Sequence, residues 1–230
     1  MLRINKYIAL SGFCSRRKAD ELIDIGRVTI NKDVAKKGDE VRENDIVRID
    51  GERVRVKLDQ YEYYILNKPK RVICSNEDKF GRVTAVSLIN SNKRLFTYGR
   101  LDYLTEGLII VSNDGDLYNK IMHPRQKLYK SYIATIDKEI TEDHIEALSH
   151  GVVIDGVKTA PAKVKVLTKT EVRIAIFEGR NRQIRKMFEV LGYFVKSLKR
   201  VKVGELTLKN LEVGKYRKLT KDEIEYLKKL

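Results

Sequence analysis

The spacing of hydrophobic positions changes repeatedly along the 230 residues, and each change marks an element. Ile4, Tyr7 and Ile8 share one face of a helix predicted over 3–10, which Ser11-Gly12 ends. A second helix is predicted over 16–25. Ser15 is its N-cap, Ala19, Leu22 and Ile23 face inward, and Gly26 stops it. Short strands follow at 28–30, 34–35 and 46–49, with a turn near Asn31-Lys32-Asp33. Residues 49–60 are charged and weakly periodic and read as a linker.

Beyond it, a strand is predicted over 63–67, stopped by Lys68-Pro69, with 72–75 as its hairpin partner. The run 83–89 has mixed spacing and takes no assignment. Leu108 to Val111 is a continuous apolar run, as in a buried strand; Asn113-Asp114-Gly115 breaks it with residues that tolerate positive φ. A helix over 116–122 ends at His123-Pro124. Residues 130–136 alternate, placing Lys130, Tyr132 and Ala134 on one face. An amphipathic helix over 141–149 precedes strands at 151–154, 162–166 and 172–176. Ile184, Met187, Phe188 and Leu191 form one helical stripe. A strand over 195–201 follows. Thr220 and Glu223 complete a capping box for a helix over 221–230. The pattern is α+β, with a small domain over 1–48, a linker over 49–60 and a larger domain over 61–230.

Hydrophobic residues make up 42% of the chain, enough for a packed core. Lys and Arg outnumber Asp and Glu by 47 to 32, a net charge of +15 that favours a polyanionic partner. Residues 1–60 carry +3 of it and residues 61–230 carry +12. Two cysteines make no disulfide framework and fit a reducing compartment. No apolar run reaches signal-peptide or membrane-spanning length, so a cytoplasmic, non-membrane protein is expected.

Three stretches carry chemistry. Arg16, Arg17 and Lys18 occupy the first turn of a helix, where the macrodipole favours acids; wrong-sign charges there cost about 0.3–1 kcal/mol each. A bound phosphate would offset that cost; a solvated basic turn is the plainer reading. Gly99-Arg100-Leu101-Asp102 leads into the apolar run from Leu108 and presents a carboxylate beside an arginine on a rigid support. A lone loop aspartate also fits a solvated turn. In the third stretch, Arg185 lies roughly 60° from Phe188, at the edge of the helical stripe. There it is either a snorkelling surface arginine or a partner for Asp102. Arg180 to Lys202 holds eight basic residues and one acid, Glu189, as in a phosphate track.

These stretches resemble known families. The run from Arg3 through Ser15-Arg16-Arg17-Lys18-Ala19-Asp20-Glu21-Leu22-Ile23 to Asn31 is similar to the αL RNA-binding motif of a small-subunit ribosomal protein. Gly99-Arg100-Leu101-Asp102 with Thr105, Gly107-Leu108 and Asn113-Asp114-Gly115 resembles the signature of RNA pseudouridine synthases of the RsuA/RluB/RluE/RluF type. Gly179-Arg180-Asn181-Arg182-Gln183-Ile184-Arg185 resembles that family's third motif. The resemblance implies an αL module joined to a catalytic domain with a mixed, mainly antiparallel sheet. It implies Asp102 as nucleophile, Tyr132 stacked on the target uracil and aiding its deprotonation, and Arg185 paired with Asp102. Leu198 would pack on the base, and Gly99, Arg100 and Leu101 would position the loop. The chain departs from the family at Lys70-Arg71, where a glycine is usual, and at Thr97, where a proline is common.

The implied reaction isomerises uridine to pseudouridine in ribosomal RNA, without cofactor or metal, in a monomer that meets free or precursor-particle RNA. His123-Pro124, Thr159-Ala160-Pro161-Ala162-Lys163 and Glu178 to Gln183 look closest to the large-subunit (RluB-like) branch. Small-subunit RNA stays open, as does a non-catalytic ribosome-assembly factor. A methyltransferase carrying the same module is disfavoured by the missing glycine-rich cofactor loop.

Overall fold

The computed structural model describes residues 1–56, 61–76 and 78–230, with only the backbone at Pro124. It contains two compact units: Met1–Glu62 with Ser91–Arg94, and Tyr63–Asn90 with Leu95–Leu230.

The first unit runs β1 (Leu2–Arg3), α1 (Ile4–Leu10), α2 (Arg16–Asp24), β2 (Val28–Ile30), β3 (Asp33–Val34), β4 (Glu40–Val41), β5 (Val47–Ile49) and β6 (Glu52–Val54). Ser15 caps α2 by accepting the Lys18 amide at 3.2 Å. The inward faces of the helices, Ile4, Ile8, Ala19, Leu22 and Ile23, close on Val28, Val47 and Ile49. Residues 52–54 had read as linker. They form β6, paired with β5, because burying Val54 completes this core. Residues 57–60 of the expected linker lie outside the described residues.

The second unit comprises β7 (Tyr63–Lys68), β8 (Phe96–Thr97), β9 (Glu106–Ser112), α3 (Gly115–Met122), β10 (Lys130–Ile136), α4 (Glu142–His150), β11 (Val153–Ile154), β12 (Val157–Lys158), β13 (Lys163–Val166), β14 (Glu171–Ile176), α5 (Gln183–Glu189), β15 (Val195–Val203), β16 (Leu206–Thr207), β17 (Tyr216–Lys218) and α6 (Lys221–Lys229). A 3₁₀ turn at Val86–Leu88 occupies the unassigned run. The main sheet has the order β13-β14-β10-β15-β9-β7-β17. The β15–β9 pair is parallel and the other pairs along this path are antiparallel. Ile184, Met187 and Phe188 of α5 bury their stripe in the core.

The parallel pair depends on one glycine. Gly107 sits opposite Arg200 with φ +112°, and a Cβ there would lie 2.2 Å from the Arg200 carbonyl oxygen. Only a residue without a side chain lets the two backbones meet.

Two local expectations change. Residues 72–75 are not the partner of β7. Ile73 makes a single parallel bridge to Thr84, while β7 lies between β9 and β17. All six β7 residues are buried, and a strand so covered takes neighbours on both edges. Asn113, Asp114 and Gly115 do not take positive φ. Instead the Asp114 carboxylate accepts the amides of Asp116 and Leu117 and caps α3.

Candidate active site

The loop between β8 and β9 carries Asp102, and several independent bonds hold its backbone. Gly99 opens it at φ +75°. The Leu101 amide donates to the Cys74 sulfur at 3.3 Å. The Asp102 carbonyl accepts the Thr105 amide at 3.0 Å, and the Tyr103 carbonyl accepts the Arg71 amide at 2.7 Å. Arg71 stands where the family resemblance expects glycine and keeps a glycine-like φ of +63°. Arg185 donates to the Leu104 carbonyl at 3.2 Å. Leu101 is buried, whereas the Asp102 side chain is only half-buried.

Facing this loop is a cleft of about 820 Å³. The sheet supplies part of its wall. Tyr132 of β10 pairs with Arg200 of β15, and Ala134 pairs with Leu198. Paired residues point to the same side, so Tyr132, Leu198 and Arg200 share one face. The Arg200 guanidinium lies 6.0 Å from the Tyr132 ring centroid and donates through Nε to the Leu108 carbonyl at 2.7 Å. At 3% exposure Arg200 is nearly buried, yet no carboxylate among the described residues pairs with it. A buried guanidinium without an anion is costly unless a ligand brings one.

Gly99, Arg100, Leu101, Asp102, Tyr132, Leu198, Arg180 and Arg182 all line this cleft. Arg182, at φ +51° before α5, presents an exposed guanidinium. Arg180 is tied down, donating to the carbonyls of Val157 at 3.1 Å and Lys158 at 2.9 Å.

The expected Asp102–Arg185 ion pair is absent among the described residues. The Arg185 guanidinium spends its donors on the Val195 carbonyl at 2.9 Å and on Leu104. Burial and the like charge of Arg182 lower its pKa, and the Asp102 charge acts in the opposite direction. Arg16, Arg17 and Lys18 belong to the first unit and are exposed. Lys18 pairs with Glu21 at 2.8 Å, and Arg16 donates to Asn5 at 3.4 Å.

Sequence reasoning missed three basic groups. Arg200 is one. Lys130 lines the cleft, donates to the Phe177 carbonyl at 3.0 Å, and is pushed down to about 8 by burial and then by Arg200. Lys68 is fully buried, its ammonium held by the carbonyls of Val72 at 2.7 Å and Pro69 at 2.9 Å; burial lowers its pKa, while Cys74 and Asp102 oppose the shift. Alternation gave a usable signal for two of them: Lys130 is two residues from Tyr132, and Arg200 two from Leu198. Among the described residues, no three His, Cys, Asp or Glu side chains form a metal-ligand set.

Residues 62–190 match the RNA pseudouridylate synthase family, and residues 2–47 match the S4 domain family. The chain belongs to the RNA pseudouridylate synthase family. It is 41% identical over 230 residues to the dual-specificity RNA pseudouridine synthase RluF of Escherichia coli K12, covering all of this chain and 79% of that one. It is 38% identical to the ribosomal large subunit pseudouridine synthase B of Bacillus subtilis 168, covering 100% of this chain and 97% of the relative. A crystal structure of a pseudouridylate synthase aligns with TM-score 0.73 and 32% identity, over 99% of this chain and 100% of the other. The protein is thus an RNA pseudouridine synthase with an S4 domain and a mixed, mainly antiparallel catalytic sheet, as the motifs implied. Among the described residues, no helix is long and apolar enough to cross a membrane.

Proposed function

We propose that this synthase isomerises a specific uridine in large-subunit ribosomal RNA, with Asp102 as its nucleophile. The observation that carries the reading is the Asp102 loop. Backbone bonds fix it at the edge of a cleft that also holds Tyr132, Leu198 and a nearly buried Arg200 that has no carboxylate partner among the described residues. The uridine leaves its stack to enter, because its reacting atoms are otherwise covered. Tyr132 stacks on the uracil and aids its deprotonation, and Leu198 packs on the base. The Asp102 carboxylate attacks the anomeric sugar carbon as the carbon–nitrogen glycosidic bond breaks, its electron pair leaving with the uracil. The base turns, carbon five attacks the same sugar carbon and releases the Asp102 carboxylate, and carbon five then loses its proton as the former glycosidic nitrogen gains one.

Arg185 acts on Asp102 by positioning, through Leu104. Arg100, Arg180 and Arg182 meet the backbone of the RNA, with Gly99 and Leu101 shaping the loop. The first unit grips RNA through Arg16, Arg17 and Lys18 at the start of α2, where amides and side chains face one phosphate. The enzyme works as a cytoplasmic monomer on free or precursor-particle RNA.

Large-subunit RNA is favoured by the named activity of the Bacillus relative. The Escherichia relative is named dual-specificity, so a second RNA substrate is the competing reading. Tritium release from carbon five of labelled uridine, measured on protein-free large- and small-subunit RNA separately, decides. Release from the large-subunit RNA alone is expected. Release from small-subunit RNA alone overturns the assignment.

A further inference from the structure

A second cavity, of about 490 Å³, shares Arg100, Leu101 and Asp102 with the cleft. The rest of its wall includes Asp78, Lys79, Phe80, Arg82 and Tyr103. Phe80 is 81% exposed and Tyr103 43%. Scattered exposed apolar residues are ordinary; this one is held in place. The Asp78 carboxylate accepts the amides of Phe80 at 3.0 Å and Arg82 at 2.7 Å, and the Arg82 guanidinium at 2.6 Å. That guanidinium in turn lies 5.1 Å over the Phe80 ring. The loop therefore presents an aromatic face already organised for a flat partner.

The charges point to the same kind of partner. Asp78 is used by Arg82. Lys79 and Arg100 are exposed and make no ion pair among the described residues. Tyr103 directly follows Asp102, and its carbonyl is fixed by the Arg71 amide. An aromatic platform, spare cations and a concavity abutting the reacting loop form the combination that binds unpaired nucleotides.

We propose that this cavity binds an unpaired nucleotide flanking the target uridine, its base stacked on Phe80 and Tyr103 and its phosphate met by Lys79 and Arg100. This rests on the RNA substrate proposed above. When the target base leaves its stack, a neighbour loses a stacking partner, and the platform replaces it.

The test is equilibrium binding of protein-free large-subunit ribosomal RNA at fixed salt by wild type, Phe80→Ala and Phe80→Trp. Phe80→Ala should bind about 5- to 150-fold more weakly, the range expected for one lost base stack, and Phe80→Trp should bind as wild type does. Ultraviolet irradiation of the wild-type complex should attach a nucleotide to the peptide containing residue 80. Unchanged affinity in Phe80→Ala, or no nucleotide on that peptide, overturns the proposal; so does a loss confined to binding of assembled ribosomal particles, which would mark a protein partner. Tritium release by wild type on the same RNA tests the reaction separately. Release without a Phe80 effect overturns the subsite alone, and a Phe80 effect without release keeps the RNA contact while overturning the reaction.

Discussion

Arg185 reaches the Asp102 loop through the Leu104 carbonyl, at 3.2 Å, and its other arm takes the Val195 carbonyl at 2.9 Å. One side chain of α5 therefore ties the start of β15 to the loop that carries Asp102. A guanidinium can do this because its donors form a rigid planar fork.

Arg185→Lys keeps the charge but cannot span both carbonyls. It should lower the single-turnover rate by at least about tenfold and stability by about 1.5–3 kcal/mol, the range for hydrogen bonds to charged groups. Arg185→Met should be no worse. Rapid-quench kinetics and urea unfolding check this. A lysine variant with the wild-type rate would show that the charge acts on Asp102 and the clamp does not.

Gly107→Ala should disrupt the β9–β15 pairing, since its Cβ would lie 2.2 Å from a backbone oxygen that cannot move alone. A loss of at least about 3 kcal/mol in urea unfolding is expected, in the range where backbone strain and overpacking dominate. A variant with wild-type stability would mean that the two strands separate freely.

Arg200 should show stability and activity moving apart. Removing a buried charge that has no carboxylate partner among the described residues relieves its desolvation cost, which offsets the loss of the hydrogen bond to the Leu108 carbonyl. Arg200→Met should therefore unfold within about 1 kcal/mol of wild type or later, while turnover falls at least about a hundredfold. Loss of stability with turnover intact would make Arg200 a structural residue only.

Lys130 gives a pH signature. Its folded pKa of about 8 lies below the ordinary 10.5. Below about pH 8 both folded and unfolded forms hold the proton, and the folded state carries the full burden of a buried charge. Between about 8 and 10.5 the unfolded state binds more protons, so this group's contribution to stability rises with pH. Relative to Lys130→Met, wild type should gain on the order of 2–3 kcal/mol across that window. Urea midpoints at several pH values test it, and a constant difference would place the amine in water.

Periodicity made much of this architecture legible. The stripe of α2, the alternation of β10 and the capping box at Thr220 are local patterns, and they form where the chain says; the stripe of α5 forms at Ile184, Met187 and Phe188, but the helix ends at Glu189, before Leu191. The partners of β7 were not legible. It pairs with β9 on one edge and with β17 on the other, about 150 residues away, whose three residues have no periodicity of their own. Among site residues, Tyr132 and Leu198 were named by the family resemblance; strand alternation alone put Tyr132 on one face and did not separate it from an ordinary core residue. Arg200 was hidden in a basic run that read as a phosphate track, although strand alternation turns it inward. Helical spacing left Arg185 either a surface arginine or a partner for Asp102, and the resemblance favoured the pairing; its actual hydrogen-bond partners are backbone carbonyls, which leave no mark in sequence.

Asp102→Asn removes the carboxylate proposed to perform the chemistry. The variant keeps the size and the loop bonds, which are made by backbone atoms. Pseudouridine formation in protein-free large-subunit RNA should be lost in the variant while RNA binding stays at the wild-type level. Tritium release by Asp102→Asn at the wild-type rate would contradict the account.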